Sequence, residues 1–167
     1  NENTIMNQRW YLEKVSMPIV QEGTYNISTK LNYKKLITNN LSDHDIEISN
    51  WILSTHLQDW ELKFDINRQA YKIYTKYRRW ENLGLCYQNK GFRVTIEPVD
   101  IDASNLRVYW LIEFNQNKGG YLIRNLYDNN QVLDLPSSNI TNWTKIITYQ
   151  PTLNDNQLWY LVPVKNS

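Results

Sequence analysis

The chain is poor in the residues on which most catalytic sites and many small secreted domains depend. Of its 167 residues one is cysteine, two are histidine, and five each are glycine and proline. Cys86 can form no disulfide within the chain, and beside Leu85 it reads as a buried strand thiol with no partner for nucleophile duty. Neither His44 nor His56 has a second histidine, cysteine or carboxylate at metal-ligand spacing. A glycine-rich phosphate loop, a Gly-x-Ser-x-Gly elbow and a His-Glu-x-x-His helix are all missing. No catalysis, cofactor or metal is therefore expected. A net charge of +1 supplies no field to gather nucleic acid or an acidic membrane. There is no apolar run long enough to span a bilayer and no secretory hydrophobic region, so membrane insertion is not expected. Because the chain starts at Asn1 rather than Met, it is expected to be a piece of something longer. Asn-x-Ser/Thr triplets at Asn26, Asn139 and Asn142 would matter only in a eukaryotic secretory route and carry no weight.

What the chain does have is aromatic residues, and they recur. Gln58-Asp59-Trp60-Glu61-Leu62, Val108-Tyr109-Trp110-Leu111-Ile112 and Gln157-Leu158-Trp159-Tyr160-Leu161 place a tryptophan in nearly the same setting about fifty residues apart. Each unit opens on a Tyr-x-Ile step, at Tyr25/Ile27, Tyr71/Ile73 and Tyr121/Ile123, followed by apolar positions at Leu36, Leu83/Leu85 and Leu133/Leu135. The apolar residues alternate two apart, which is the spacing of a strand with one buried face. Polar turn residues such as Asn89-Lys90-Gly91, Asn117-Lys118-Gly119-Gly120 and Asp128-Asn129-Asn130 separate them. No segment carries a helical stripe. Three units, each too thin to bury its own face, can close on one axis with their tryptophans and Tyr-x-Ile steps in a shared core. The expected fold is all-β, a β-trefoil with repeats at about 21–69, 70–119 and 120–167; another antiparallel barrel is the alternative.

Two further stretches bear on organisation. Asn7-Gln8-Arg9-Trp10-Tyr11-Leu12 nearly duplicates the ending Asn156-Gln157-Leu158-Trp159-Tyr160-Leu161, yet no repeat stands before it. Residues 1–20 are therefore expected to be the closing strand of a preceding domain plus a linker, with the trefoil over 21–167. The basic, aromatic run Tyr74-Thr75-Lys76-Tyr77-Arg78-Arg79-Trp80 has the composition of a nucleic-acid or anionic-sugar surface, set against a plain hairpin loop. The acidic string Glu97-Pro98-Val99-Asp100-Ile101-Asp102 reads as a solvated loop.

The third repeat alone combines Asp134 inside Val132-Leu133-Asp134-Leu135, an aromatic at Tyr149, and Asn156-Gln157 before the closing tryptophan. At the Asp134 place the alignment puts Ile37 and Gly84, and at the Asn-Gln place Leu57-Gln58 and Arg107-Val108. A scaffold set should recur three times. This one does not, which marks it as a candidate site.

With the threefold Gln-x-Trp logic, the Leu-Asp-Leu step and the Asn-Gln-Leu-Trp ending, the chain resembles the ricin-type β-trefoil lectins. Gln69-Ala70-Tyr71-Lys72-Ile73, Asn105 to Trp110 and Asn125-Leu126-Tyr127-Asp128 to Leu135 are similar to the large lectin subunit of the clostridial (botulinum) neurotoxin-associated haemagglutinin, in its C-terminal trefoil. The resemblance covers essentially the whole chain and implies a secreted, extracellular, non-enzymatic lectin, the cell-binding part of a bacterial toxin or toxin complex. Its partners would be galactose or N-acetylgalactosamine-type glycans, with other toxin-complex subunits as further partners. Carried over, Asp134 accepts hydrogen bonds from two adjacent sugar hydroxyls, Tyr149 stacks on the apolar sugar face, Asn156 contacts a hydroxyl and Gln157 braces Asp134. Ile147, where such lectins often place a polar residue, and Pro136 depart from the pattern and leave the exact sugar open. A protein-docking module with a vestigial sugar site is the competing reading.

Overall fold

The computed structural model describes residues 20–53 and 55–165. Among them lie thirteen strands joined in one sheet, four short 3-10 turns and no α-helix. No helix there is long and apolar enough to cross a membrane. The strands are β1 (Gly23–Thr29), β2 (Asn32–Asn39), β3 (Ile46–Asn50), β4 (Trp60–Asp65), β5 (Ala70–Thr75), β6 (Leu83–Cys86), β7 (Thr95–Pro98), β8 (Trp110–Asn115), β9 (Gly120–Asn125), β10 (Val132–Asp134), β11 (Thr144–Lys145), β12 (Ile147–Tyr149) and β13 (Trp159–Pro163).

Six of them close a ring. β1 pairs with β4, β4 with β5, β5 with β8, β8 with β9, β9 with β13, and β13 returns to β1. Closure leaves this barrel no exposed edge. The other strands form three hairpins, β2–β3, β6–β7 and β10–β12. These hairpins are stitched to one another by the bridges Asp45↔Thr95 and Arg93↔Ile147 and by β11 against β3. Six barrel strands capped by a triplet of linked hairpins is a β-trefoil.

The threefold sequence pattern is the core of this arrangement. Trp60, Trp110 and Trp159 are fully buried, and each pairs in register with the tyrosine of a Tyr-x-Ile step on the adjacent barrel strand: Tyr25, Tyr71 and Tyr121. Ile27, Ile73 and Ile123 of the same steps are buried with them. Each indole Nε1 donates to a hairpin carbonyl, Trp60 to Ile37 at 3.0 Å, Trp110 to Leu85 at 3.0 Å and Trp159 to Leu133 at 3.4 Å. The hydrogen bond satisfies the one polar atom of a side chain that otherwise contributes only apolar burial.

Those three bonds also set the alignment of the repeats, and they correct one expectation. Ile37, Leu85 and Leu133 are equivalent, so the residues that follow them, Thr38, Cys86 and Asp134, share one place. Ile37 and Gly84 do not occupy the Asp134 position. The error is a slip of one residue in the first repeat and two in the second, and a Leu-x-Leu pattern cannot detect a slip of two because the same face stays apolar. Gly84 is present for a different reason: a Cβ there would stand 2.6 Å from the Ile73 carbonyl oxygen of the neighbouring strand. The acidic string is corrected too, since Glu97 and Pro98 end β7, Val99 is buried, and Asp100 accepts from Lys72 Nζ at 2.7 Å and Tyr74 Oη at 2.9 Å.

The expected strand around Trp10 lies outside the described residues. The described chain starts at Val20, where the Tyr71 hydroxyl accepts from the Val20 N–H at 2.9 Å and donates to its carbonyl at 2.6 Å. Deleting residues 1–19 is expected to leave a single cooperative thermal transition, because the six-strand ring closes within the described residues. Loss of that transition in the truncated chain would show that Trp10 packs into this barrel.

Candidate functional site

The hairpin β10–β12 and the 3-10 turn Asp155–Gln157 bring the third-repeat residues together. Asp134 ends β10 and faces Ile147 in register, while Tyr149 faces Val132 two residues back along the same pair. Asp134, Tyr149 and Asn156 line one cleft of about 400 Å³ with Pro136, Ser137, Ser138, Ile147, Thr152 and Asn154. Gln157 sits behind it, fully buried.

The Asp134 carboxylate is held from one side only. Gln157 Nε2 donates to Asp134 Oδ2 at 2.8 Å and Asn156 Nδ2 donates to the same oxygen at 3.0 Å. Gln157 is itself fixed at four points: Nε2 also donates to the Gln150 carbonyl at 2.9 Å, and Oε1 accepts from Thr152 N at 2.7 Å and Leu153 N at 3.3 Å. Burial pushes the Asp134 carboxyl above its ordinary value, while the hydrogen bonds from Gln157 and Asn156 pull the other way. The Tyr149 ring is 43% exposed. A braced carboxylate beside an open aromatic face can read adjacent hydroxyls and cover a C–H face at once.

Four residues sequence reasoning left out complete the rim. Ser137, Ser138 and Leu153 all adopt left-handed backbone, with φ of 54°, 53° and 58°, and these turns bring Ser137, Ser138, Thr152 and Asn154 to the cleft. Pro136 at the start of the turn and the Pro151-Thr152 step were the available signals.

No protein-family model matches the chain. It is 36% identical over 159 residues to pierisin of Pieris brassicae, a match covering 92% of this chain and 17% of pierisin. It is 27% identical over 140 residues to the main hemagglutinin component type C of Clostridium botulinum C phage, covering 81% of this chain and 46% of that one. A mosquitocidal holotoxin superposes with a TM-score of 0.82 at 36% identity, over 99% of this chain and 19% of the holotoxin. The chain is a ricin-type β-trefoil. It spans less than half the length of each of these relatives. A ricin B-like lectin of Macrolepiota procera, solved in complex with lactose, shares the fold with a TM-score of 0.71 at 17% identity, over 87% of this chain and 99% of that lectin.

Within this ricin-type trefoil the first repeat keeps the bracing glutamine without the carboxylate, and the second keeps neither. In the first, Gln58 does what Gln157 does: its Nε2 donates to Thr38 Oγ1 at 3.0 Å and to the Asn50 carbonyl at 2.9 Å, and its Oε1 accepts from Ile52 N at 2.9 Å. Thr38 is no carboxylate, Ser49 replaces Tyr149 opposite Leu36, and Asn40 Nδ2 closes on Glu47 Oε2 at 3.1 Å across the mouth. In the second, Cys86 and Val108 meet in an apolar cluster at the carboxylate and glutamine places. The Cys86 thiol is pushed up to about 11, chiefly by burial, which keeps it protonated and inert. Arg107, at the asparagine place, points away to the Gln88 carbonyl and stacks 4.5 Å from the Tyr127 ring centre. The polar set is assembled once.

Proposed function

We propose that the third repeat is a lectin site for terminal galactose or N-acetylgalactosamine-type sugars and that the chain is a non-enzymatic, secreted cell-binding domain of a toxin or toxin complex. The observation that carries this reading is the Asp134 carboxylate, braced on one oxygen by two side-chain amides and opening into the same cleft as the exposed face of Tyr149. An axial 4-hydroxyl leaves one galactose face all C–H, suited to Tyr149, while the 3- and 4-hydroxyls donate to Asp134. The ricin B-like lectin solved with lactose supports the sugar class, the hemagglutinin component supports binding to cell-surface glycans, and the mosquitocidal holotoxin supports the toxin setting. The cleft is shallow, so useful affinity on a cell surface comes from several sites acting together.

A second reading is favoured by one surface. A cleft of about 650 Å³ lined by Tyr33, Leu36, Trp51, Tyr160 and Val162 leaves Tyr33, Trp51 and Val162 in the open, as a docking face for another part of a toxin assembly would. A glycan array run beside a pull-down separates the two. Binding that lactose competes away supports the lectin; partner capture indifferent to lactose supports docking.

The raised Asp134 carboxyl makes the sugar reading dependent on pH. Only the ionised form accepts from both hydroxyls, so lactose affinity is expected to fall on acidification with a midpoint above the ordinary aspartate value of about 3.9. The stability effect has the opposite sign. A carboxyl raised on folding contributes stability in full below its unfolded value and loses it as pH rises through the folded one, so Asp134 does not unfold the protein as the sugar is released. Lactose titrations and thermal melts in the same buffers check both halves. Affinity that stays flat from pH 7 to pH 4 would rule out an ionised Asp134 as the sugar acceptor.

A further inference from the structure

The basic, aromatic run that the galactose site does not use forms a separate cleft at the junction of the first two repeats. Thr55, His56, Lys76, Tyr77, Arg78 and Trp80 enclose about 450 Å³ and share no residue with the cleft around Asp134. Trp80, in the turn Arg79–Glu81, is 77% exposed, so its ring is free to serve as a platform. The backbone around it is strained. His56, Arg78 and Asn82 sit in the left-handed region at φ of 53°, 48° and 49°, a conformation that non-glycine residues seldom adopt and that gathers at binding sites.

The lysine and the arginine facing this cleft have carboxylates near them at long range, and the His56 ring is hydrogen-bonded to a third. Lys76 Nζ stands 4.0 Å from Glu61, Arg78 stands 3.7 Å from Glu81, and His56 Nδ1 is 2.7 Å from Asp59. None of these three carboxylates lines the cleft. Exposed pairs at such separations contribute little, so an incoming anion can take the two long ones over. Arg78 lies over the Tyr77 ring at 5.5 Å, which steadies the guanidinium at the rim.

We propose that this cleft is a second ligand site, for a saccharide bearing a carboxylate or a sulfate group: Trp80 covers the C–H face of the ring and Lys76 and Arg78 take the anion. The saccharide class rests on the lectin reading above, whereas the preference for an anion rests on the cleft alone. A nucleic-acid strand fits less well. It needs a continuous cationic track and successive stacking platforms, and here Asp59, Glu61 and Glu81 flank the lysine, the arginine and the histidine, and Trp80 is the one tryptophan lining the cleft.

Binding is to be measured with probes that lack galactose: the methyl glycoside of N-acetylneuraminic acid for a carboxylate, a heparin-derived disaccharide for sulfate, methyl N-acetylglucosaminide as the neutral control and a thymidine decamer for nucleic acid. The expected result is saturable binding of at least one anionic saccharide and none of the neutral one, weakened by added salt. Trp80→Ala and Arg78→Gln should each reduce it about tenfold or more, the loss of one stacking or charge-assisted contact. Lactose binding should be unchanged in both variants, and Asp134→Ala should leave the anionic saccharide bound, so failure of one site is told apart from failure of the other. Absence of binding by both anionic saccharides, binding undiminished in Trp80→Ala and Arg78→Gln, or tighter binding of the decamer than of either saccharide would overturn the proposal.

Discussion

Asp134→Ala is expected to abolish binding to immobilised lactose. A hydrogen bond to a charged group contributes about 1.5–3 kcal/mol, and two of them are comparable to the whole affinity of a millimolar site, about 4 kcal/mol. The fold should hardly notice. Gln157 Nε2 keeps the Gln150 carbonyl and Asn156 Nδ2 keeps the Leu135 carbonyl, so neither amide is stranded when the carboxylate goes. The equivalent place is filled by Thr38 and Cys86 in the other repeats, which shows that the hairpin itself needs no carboxylate. The melting temperature of Asp134→Ala should therefore stay within a few degrees of the parent, roughly 1 kcal/mol. Tyr149→Ala should weaken binding by a similar margin through lost stacking, and Tyr149→Phe should change little if the ring face is what the sugar uses. Lactose retention by Asp134→Ala equal to that of the parent would remove the site assignment.

The largest stability effects belong to the three core tryptophans. Trp60→Ala, Trp110→Ala and Trp159→Ala are each expected to cost about 3–5 kcal/mol, the range for truncating a fully buried large aromatic. Each loses its apolar contacts and also leaves a buried carbonyl, of Ile37, Leu85 or Leu133, without its indole donor. For a chain of this size that corresponds to a drop of roughly 6–20 °C in melting temperature. The barrel makes the three equivalent, since each tryptophan meets the tyrosine of a Tyr-x-Ile step in the same register. One variant melting beside the parent while the other two fall would show that the repeats do not share the load. Trp51, Trp80 and Trp143 are exposed, and their alanine variants serve as controls that should melt with the parent.

Much of this was readable from the residues because it repeats. A threefold Trp and a threefold Tyr-x-Ile can be compared with themselves, and that comparison supplied the fold, the core and the contrast that singled out the third repeat. The register of the hairpins was not readable in the same way. Leu36, Leu83 and Leu133 are equally apolar, and only the indole hydrogen bonds show that Leu133 answers to Ile37 and Leu85. Asp134, Asn156 and Gln157 could be grouped from sequence because they stand at fixed offsets from Trp159. Ser137, Ser138, Thr152 and Asn154 could not, since they reach the cleft through left-handed turns that no alternation of apolar residues encodes. The hairpin stitching by Arg93, Asp45 and Lys145 was equally hidden: Arg93 meets Asp45 at 2.6 Å and Lys145 meets Asp43 at 2.5 Å, and these residues come from three different repeats.

The most direct test of the sugar site is a crystal structure of the chain soaked with lactose. The geometry predicts one galactose ring, in the third repeat, with its 3- and 4-hydroxyls on the Asp134 carboxylate, Asn156 within hydrogen-bond reach and the Tyr149 ring against its C–H face. A galactose ring bound in the first or second repeat, or an empty Asp134 cleft in crystals that hold lactose elsewhere, would contradict it.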